Sequence, residues 1–143
     1  PIITPDTSEM MDLTPIDEGT YKATIKECPF ELSKEKKTPM IVPKFEITVP
    51  GREKPATRKS FIPIAGEGAS GFDMILRACH FDELADQYKD KNVNPKPEFD
   101  TDRLIGQELQ VIIAPELYQR KDAAGNNQGD PELRDRIKGY LKA

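Results

Sequence analysis

Apolar and polar positions alternate along most of this chain, and the alternation predicts its elements. In "TYKATIK" (20–26), Tyr21, Ala23 and Ile25 share one phase and Lys22, Thr24 and Lys26 the other. That is the pattern of a half-buried strand with a cationic outer face. "PFELSKEKKTP" (29–39), bounded by prolines and carrying Lys34, Lys36 and Lys37 near its tip, reads as a hairpin loop. "MIVPKFEITV" (40–49) resumes the alternation, with Ile41, Phe45, Ile47 and Val49 inward and Lys44, Glu46 and Thr48 outward. Pro43 has no N–H to donate to a ladder, so this strand lies at an edge or carries a bulge there. After the turn "PGREKP", "ATRKSFIPI" (56–64) is a third strand with a second interior proline, Pro63. Three strands joined by short loops form an antiparallel meander.

Beyond the meander the period changes from two to that of a helix. Phe72, Ile75, Leu76 and Cys79 recur at helical spacing, with Ser70 as N-cap and Asp73 three residues on. A polar stretch containing Asn92, Asn94, Pro95 and Pro97 leads to "LIGQELQVIIA", where Leu109, Val111 and Ile113 alternate as a fourth strand. A long loop (115–133) with a Gly/Asn centre follows. "RDRIKGYLKA" is the fifth strand, with Ile137 and Leu141 on one face and Arg136, Lys138 and Tyr140 on the other.

The order β-β-β-α-β-β is that of a mainly β OB-fold, a five-stranded Greek-key barrel with one helix between strands three and four. The loops at 29–39 and 115–133 would then flank the ligand groove. A ferredoxin-like sandwich needs a helix between strands one and two, and no such pattern is present. The glycine run Gly66-Glu67-Gly68-Ala69-Ser70-Gly71 matches G-x-G-x-x-G. A dinucleotide turn, however, opens the helix of a parallel β-α-β unit. Here the preceding strand belongs to a meander, and Glu67 would place negative charge among the phosphates. The run reads as a flexible link into the helix, and no cofactor is expected.

Composition bounds the function. The 143 residues fit one domain, and the net charge of −4 is not that of a uniformly basic nucleic-acid binder. The charge is unevenly spread: residues 1–18 carry five acids and no base, whereas residues 19–64 carry ten bases against five acids. The expected organisation is an acidic, flexible leader (1–18) and a binding domain (19–143). The leader is either a solvated tail, a competitor for a basic groove, or a docking segment for a partner. Cys28 and Cys79 have neither zinc-ligand nor disulfide-framework spacing and read as reduced thiols, so a cytoplasmic location is expected. The apolar runs are only a few residues long, so no membrane partner is expected. The single histidine, His80, reads as a capping or packing residue of the helix. Neighbouring helical positions diverge, so Cys79 and His80 do not meet as a nucleophilic pair. No metal-ligand spacing occurs, and the expectation is a protein that is not an enzyme.

The segments "EGTYKATIKE", "MIVPKFEITV", "KSFIPI…SGFDMILRACHF", "LIGQELQVIIAPELYQ" and "RIKGYL", in that order, resemble the OB-fold single-stranded-DNA-binding proteins of tailed bacteriophages. The resemblance covers most of 18–143 and rests on order and spacing. It implies a protein that coats single strands without strong sequence preference in phage DNA replication or recombination, in a bacterial cytoplasm. Replication or recombination proteins are the implied partners, and a homodimer stays open. Many members end in an acidic partner-docking tail; here the acid lies at the N-terminus and the last residues are "GYLKA".

A sequence-tolerant binder needs a cationic track for phosphates and aromatic platforms for bases. The outward strand positions supply Lys22, Lys26, Lys44, Arg58, Lys59, Arg136 and Lys138; the loops add Lys34, Lys36, Lys37, Arg120 and Lys121. Lysines on exposed strand faces also guard against edge-to-edge aggregation. Tyr21, Phe45 and Phe72 share the apolar phase and belong to the core. Phe61, Tyr118 and Tyr140 fall in phase with, or beside, the cations and are the stacking candidates. The alternatives are a protein-interaction module on the same barrel, such as a small phage factor that binds a host enzyme, and, more remotely, a nucleotide-processing enzyme.

Overall fold

The computed structural model describes residues 1–7, 14–34 and 36–143; Glu9 and Asp12 of the acidic leader lie outside them. Among the described residues, eight strands form two antiparallel sheets, where the sequence predicts five strands. The larger sheet contains β1 (Gly19–Glu27), β4 (Lys44–Ile47), β5 (Ala56–Lys59), β7 (Glu108–Tyr118) and β8 (Glu132–Lys142), in the order β5-β4-β1-β7-β8. The smaller contains β2 (Phe30–Leu32), β3 (Pro39–Ile41) and β6 (Ile62–Pro63), in the order β2-β3-β6.

Two interruptions and a short hairpin strand, β2, account for the extra strands. The second predicted strand breaks at Val42-Pro43 into β3 and β4, and the third breaks at Ser60-Phe61 into β5 and β6. Each half joins a different sheet; Pro43, with no N–H for the ladder, stands at the first break, whereas Pro63 lies within β6 opposite Met40. The predicted 29–39 loop contains β2, which pairs Phe30 with Ile41 and leaves Ser33, Lys34 and residues 36–38 beyond the ladder. Pro115 sits within β7 at a point past the last β1 pair, Gly19 with Ile113, where β8 alone flanks it. The β7–β8 hairpin thus projects as an arm beyond the body of the sheet, and the expected 115–133 loop shortens to 119–131.

The inward phase read from the sequence forms the core. Ile25, Phe45, Ile47, Leu109, Val111 and Ile113 are buried, together with Ile75 and Leu76 of α1 (Ser70–Ala78). Each such side chain contributes about 1.5–3 kcal/mol of burial free energy. Ile16 is buried in the same core, so the packed body extends back into the predicted leader.

Four expectations are corrected. A second helix, α2 (Asp82–Lys89), occupies part of the predicted polar stretch. Its apolar positions, Leu84, Ala85 and Tyr88, make too narrow a face to register in the pattern. Ser70 does not cap α1: a single 3-10 turn (Glu67–Ala69) leads into the helix, and no side chain caps it. His80 is exposed rather than packed, so of its two expected roles the packing one is lost; it takes the capping place, in the left-handed turn after α1 with φ 66° and its N–H on the Arg77 carbonyl. Finally, Leu141 and Tyr140 exchange faces. A bulge in β8 sets Ile137 opposite Ile113 but Gly139 opposite Ile112, leaving Lys138 as the extra residue. One inserted residue inverts the phase beyond it. Gly139 is tightly packed beside the bulge: a Cβ would stand 3.2 Å from Ile112 Cδ1 and 3.3 Å from Met74 Sδ, so those side chains would have to shift slightly.

No ladder joins β5 to β8 among the described residues, so the larger sheet is open and its two edges face each other across a seam. The glycine run leads from β6, which pairs antiparallel with β3, and no parallel β-α-β unit surrounds it. No helix among the described residues is long and apolar enough to cross a membrane.

Candidate nucleic-acid interface

The seam is a groove of about 590 Å³. One wall is β5 and the β5–β6 junction, which supply Arg58, Lys59 and Phe61; the other is the β7–β8 arm, which supplies Tyr118, Arg136 and Lys138. Six of the residues named from the sequence thus meet in one place, with Tyr140 at the floor.

The inward and outward phases of the edge strands give these residues different environments. Arg58 is opposite Phe45 and so points toward the core side, as does Asp135 opposite Pro115. They meet across the open seam as a two-pronged pair, Nε to Oδ1 2.9 Å and Nη2 to Oδ2 3.1 Å. Their side chains are only 13% and 11% exposed. Asp135 Oδ2 also accepts the Ile16 N–H at 2.9 Å, and Arg58 and Arg52 both donate to the Thr14 carbonyl. Burial alone would raise the Asp135 carboxyl, but the hydrogen bonds from Arg58 and Ile16 and the nearby guanidinium charges outweigh it and hold the group below the usual carboxylate range. Arg58 is therefore the clasp of the seam rather than a cation presented to a ligand.

The outward cations are different. Arg136 Nη1 lies 3.2 Å from Glu116 Oε1, Lys138 Nζ contacts Glu116 Oε2, and all three side chains are substantially exposed. The hydrogen bond from Lys138, with the Arg136 charge, keeps Glu116 ionised below its ordinary range. Beside them the Arg134 guanidinium lies over the Tyr118 ring, 3.8 Å from its centroid, a cation–π contact. Phe61 is 64% exposed on the opposite wall, with no ring partner among the described residues. Lys59 is exposed and makes no ion pair among them.

Tyr140 is corrected as a stacking candidate. It is 7% exposed and stacks on Phe45 with ring centroids 5.6 Å apart, because the bulge turns it inward. Burial pushes its hydroxyl up to about 12, partly offset by a hydrogen bond with Ser60.

The remaining named cations lie off the groove lining. Lys44 is directly opposite Lys59 on the outward face, and Lys26 pairs with Glu46 at 3.8 Å one strand further on. Lys22 is exposed on β1 next to them. Together with Lys59 they form a track across the outward faces of β5, β4 and β1. Lys34, Lys36 and Lys37 occupy the tip of the β2–β3 hairpin, and Arg120 and Lys121 the tip of the arm. Arg134 and Glu116 were missed, although both were legible as outward positions in phase with Arg136 once the arm is known to be a hairpin.

A second groove of about 910 Å³ lies between the helices, the 96–101 segment and the smaller sheet. Its lining is mostly apolar and aromatic, with Phe30, Ile41, Ile64, Phe72, Tyr88 and Phe99, and the charged side chains Asp73, Lys89, Lys96 and Asp100 also line it. Ser70 lines both grooves, so the glycine run is the ridge between them. Among the described residues no group of three His, Cys, Asp or Glu side chains is placed to hold a metal ion. Both cysteines are buried and unpaired, and burial pushes their thiols up to about 12 for Cys28 and about 11 for Cys79. At neutral pH they are thiols, not the thiolates that act as nucleophiles.

No protein-family model and no curated protein matches this chain.

Proposed function

We propose that this chain is a non-enzymatic, sequence-independent single-stranded-DNA-binding protein on an OB-type framework, protecting or organising strands in phage-type replication or recombination. Taking β3 with β4 and β5 with β6 as interrupted single strands, the pairing order supports the OB reading, with the clasp and groove standing where the last ladder would close the barrel. The observation that carries the functional reading is the seam. It gathers the exposed ring of Phe61, the Tyr118–Arg134 stack and the outward cations Lys59, Arg136 and Lys138. A single strand offers unstacked bases and a phosphate at every nucleotide, and this combination suits both. A rigid duplex hides its base faces and gains nothing from Phe61.

Titration of a fluorescent oligo-dT and a matched duplex at low and moderate salt tests the proposal. The expected result is single-strand binding whose log–log salt slope is about −2 to −3, as for three to four neutralised phosphates. Absence of binding at low salt would overturn it. The larger apolar groove would then favour the second reading, a protein-interaction module, because its aromatic lining fits an apolar side chain better than a phosphate.

A further inference from the structure

Resting on the nucleic-acid reading above, we infer that Glu116 occupies the position of a strand phosphate in the unliganded groove, and so decides which anions the site accepts. Glu116 is on β7 with its side chain outward, directly opposite Arg134, and its two carboxylate oxygens are divided between Arg136 Nη1 and Lys138 Nζ. A phosphodiester presents the same face: two oxygens sharing one negative charge. Lys138 is the extra residue of the β8 bulge, and it shares the Glu116 carboxylate with Arg136.

A tethered carboxylate competes at a high effective concentration, so a free anion such as chloride or inorganic phosphate displaces it poorly. A phosphate within a strand is tethered too, by its neighbours on Lys59 and by bases against Phe61, and it can win the exchange. The displaced Glu116 keeps a cation beside it, because Arg134 is its cross-strand partner. Movement of Arg134 toward Glu116 would in turn uncover the Tyr118 ring it now covers at 3.8 Å. Phosphate entry and exposure of a second base platform are then one event. All of these side chains are surface groups, so the exchange requires no movement of the core.

Glu116→Gln tests the inference, with Glu132→Gln as the control. Glu132 lies on the same arm and touches Arg134 at 3.4 Å, but not Arg136 or Lys138. Oligo-dT affinity of Glu116→Gln at low salt is expected to rise roughly three- to tenfold, the ratio spanned by two exposed ion pairs. The gain should shrink as salt is added. At matched ionic strength, inorganic phosphate should compete with oligo-dT better than chloride for Glu116→Gln, and no better than chloride for the wild type. Glu132→Gln should give a smaller gain and no phosphate-specific competition. Equal gains in both variants, or an unchanged or weaker affinity in Glu116→Gln while the wild type binds, would overturn the inference and leave the binding function standing. Failure of both wild type and Glu116→Gln to bind single strands would remove the function itself, and the inference with it.

Discussion

Asp135 and Arg136 are consecutive residues of one edge strand, and each makes an ion pair across to another strand, two-pronged for Asp135 with Arg58 and through one oxygen for Arg136 with Glu116. Asp135 faces inward, nearly buried against Arg58, and ties β8, β5 and the residues at 14–16 together. Arg136 faces outward, and its pair with Glu116 is open to solvent. The chemistry is the same; burial separates the roles. A nearly buried pair cannot lose one member without leaving an uncompensated charge, whereas an exposed pair exchanges its partner at little cost. The first closes the seam, and the second leaves the seam available to a ligand.

The largest expected effect breaks the inward member. Asp135→Ala should destabilise the fold by about 2–4 kcal/mol in urea unfolding, since it removes the carboxylate that offsets the nearly buried Arg58 charge and accepts the Ile16 N–H. A loss within experimental error would mean that the clasp does not hold the seam. The same pair predicts a pH dependence. The folded Asp135 carboxyl is held below its unfolded value, so its contribution is present above the unfolded value of about 4 and disappears as pH falls through the lower folded one. The stability gap between wild type and Asp135→Asn should be constant from pH 7 to 5 and close only in more acidic solution. A gap that varies across that neutral range would contradict it.

Effects on binding come next in size. Phe61→Ala should weaken oligo-dT binding by roughly tenfold, from about 1–3 kcal/mol of stacking per base, and leave the unfolding midpoint unchanged because the ring is exposed. An unaltered affinity would remove this wall from the site. The smallest effect is expected from Lys36→Glu with Lys37→Glu, at the hairpin tip away from the groove lining. It should weaken binding less than Arg136→Glu with Lys138→Glu, and chiefly at low salt. The reverse ranking in the same titration would move the interface to that tip.

Much of the framework was legible in the sequence for physical reasons. Period-two alternation marks the strand faces whose inward residues, Ile25, Phe45, Ile47 and Val111, are the buried ones. Pro43 announced an interrupted ladder, and the chain changes sheets there; the second change falls at Ser60-Phe61, ahead of Pro63, which is paired within β6. What escaped depends on neighbours distant in sequence. The β8 bulge shows only in the register against β7, so the inward turn of Tyr140 has no local signal. Arg58 shares its strand with Lys59, and only the far-off Asp135 makes it a structural residue rather than a surface cation. The helix α2 has a polar sequence because most of its circumference faces solvent. At the candidate site, Lys59, Phe61, Tyr118, Arg136 and Lys138 were legible as outward residues; their convergence on one seam required the fold.

The central claim is that single strands lie in the seam rather than in the larger apolar groove. Ultraviolet cross-linking of oligo-dT, with the linked residues located by mass spectrometry, tests it most directly. Cross-links are expected at Phe61 and Tyr118, whose rings flank the seam. Cross-links confined to Phe30, Phe72, Tyr88 or Phe99, which line the other groove, would contradict it.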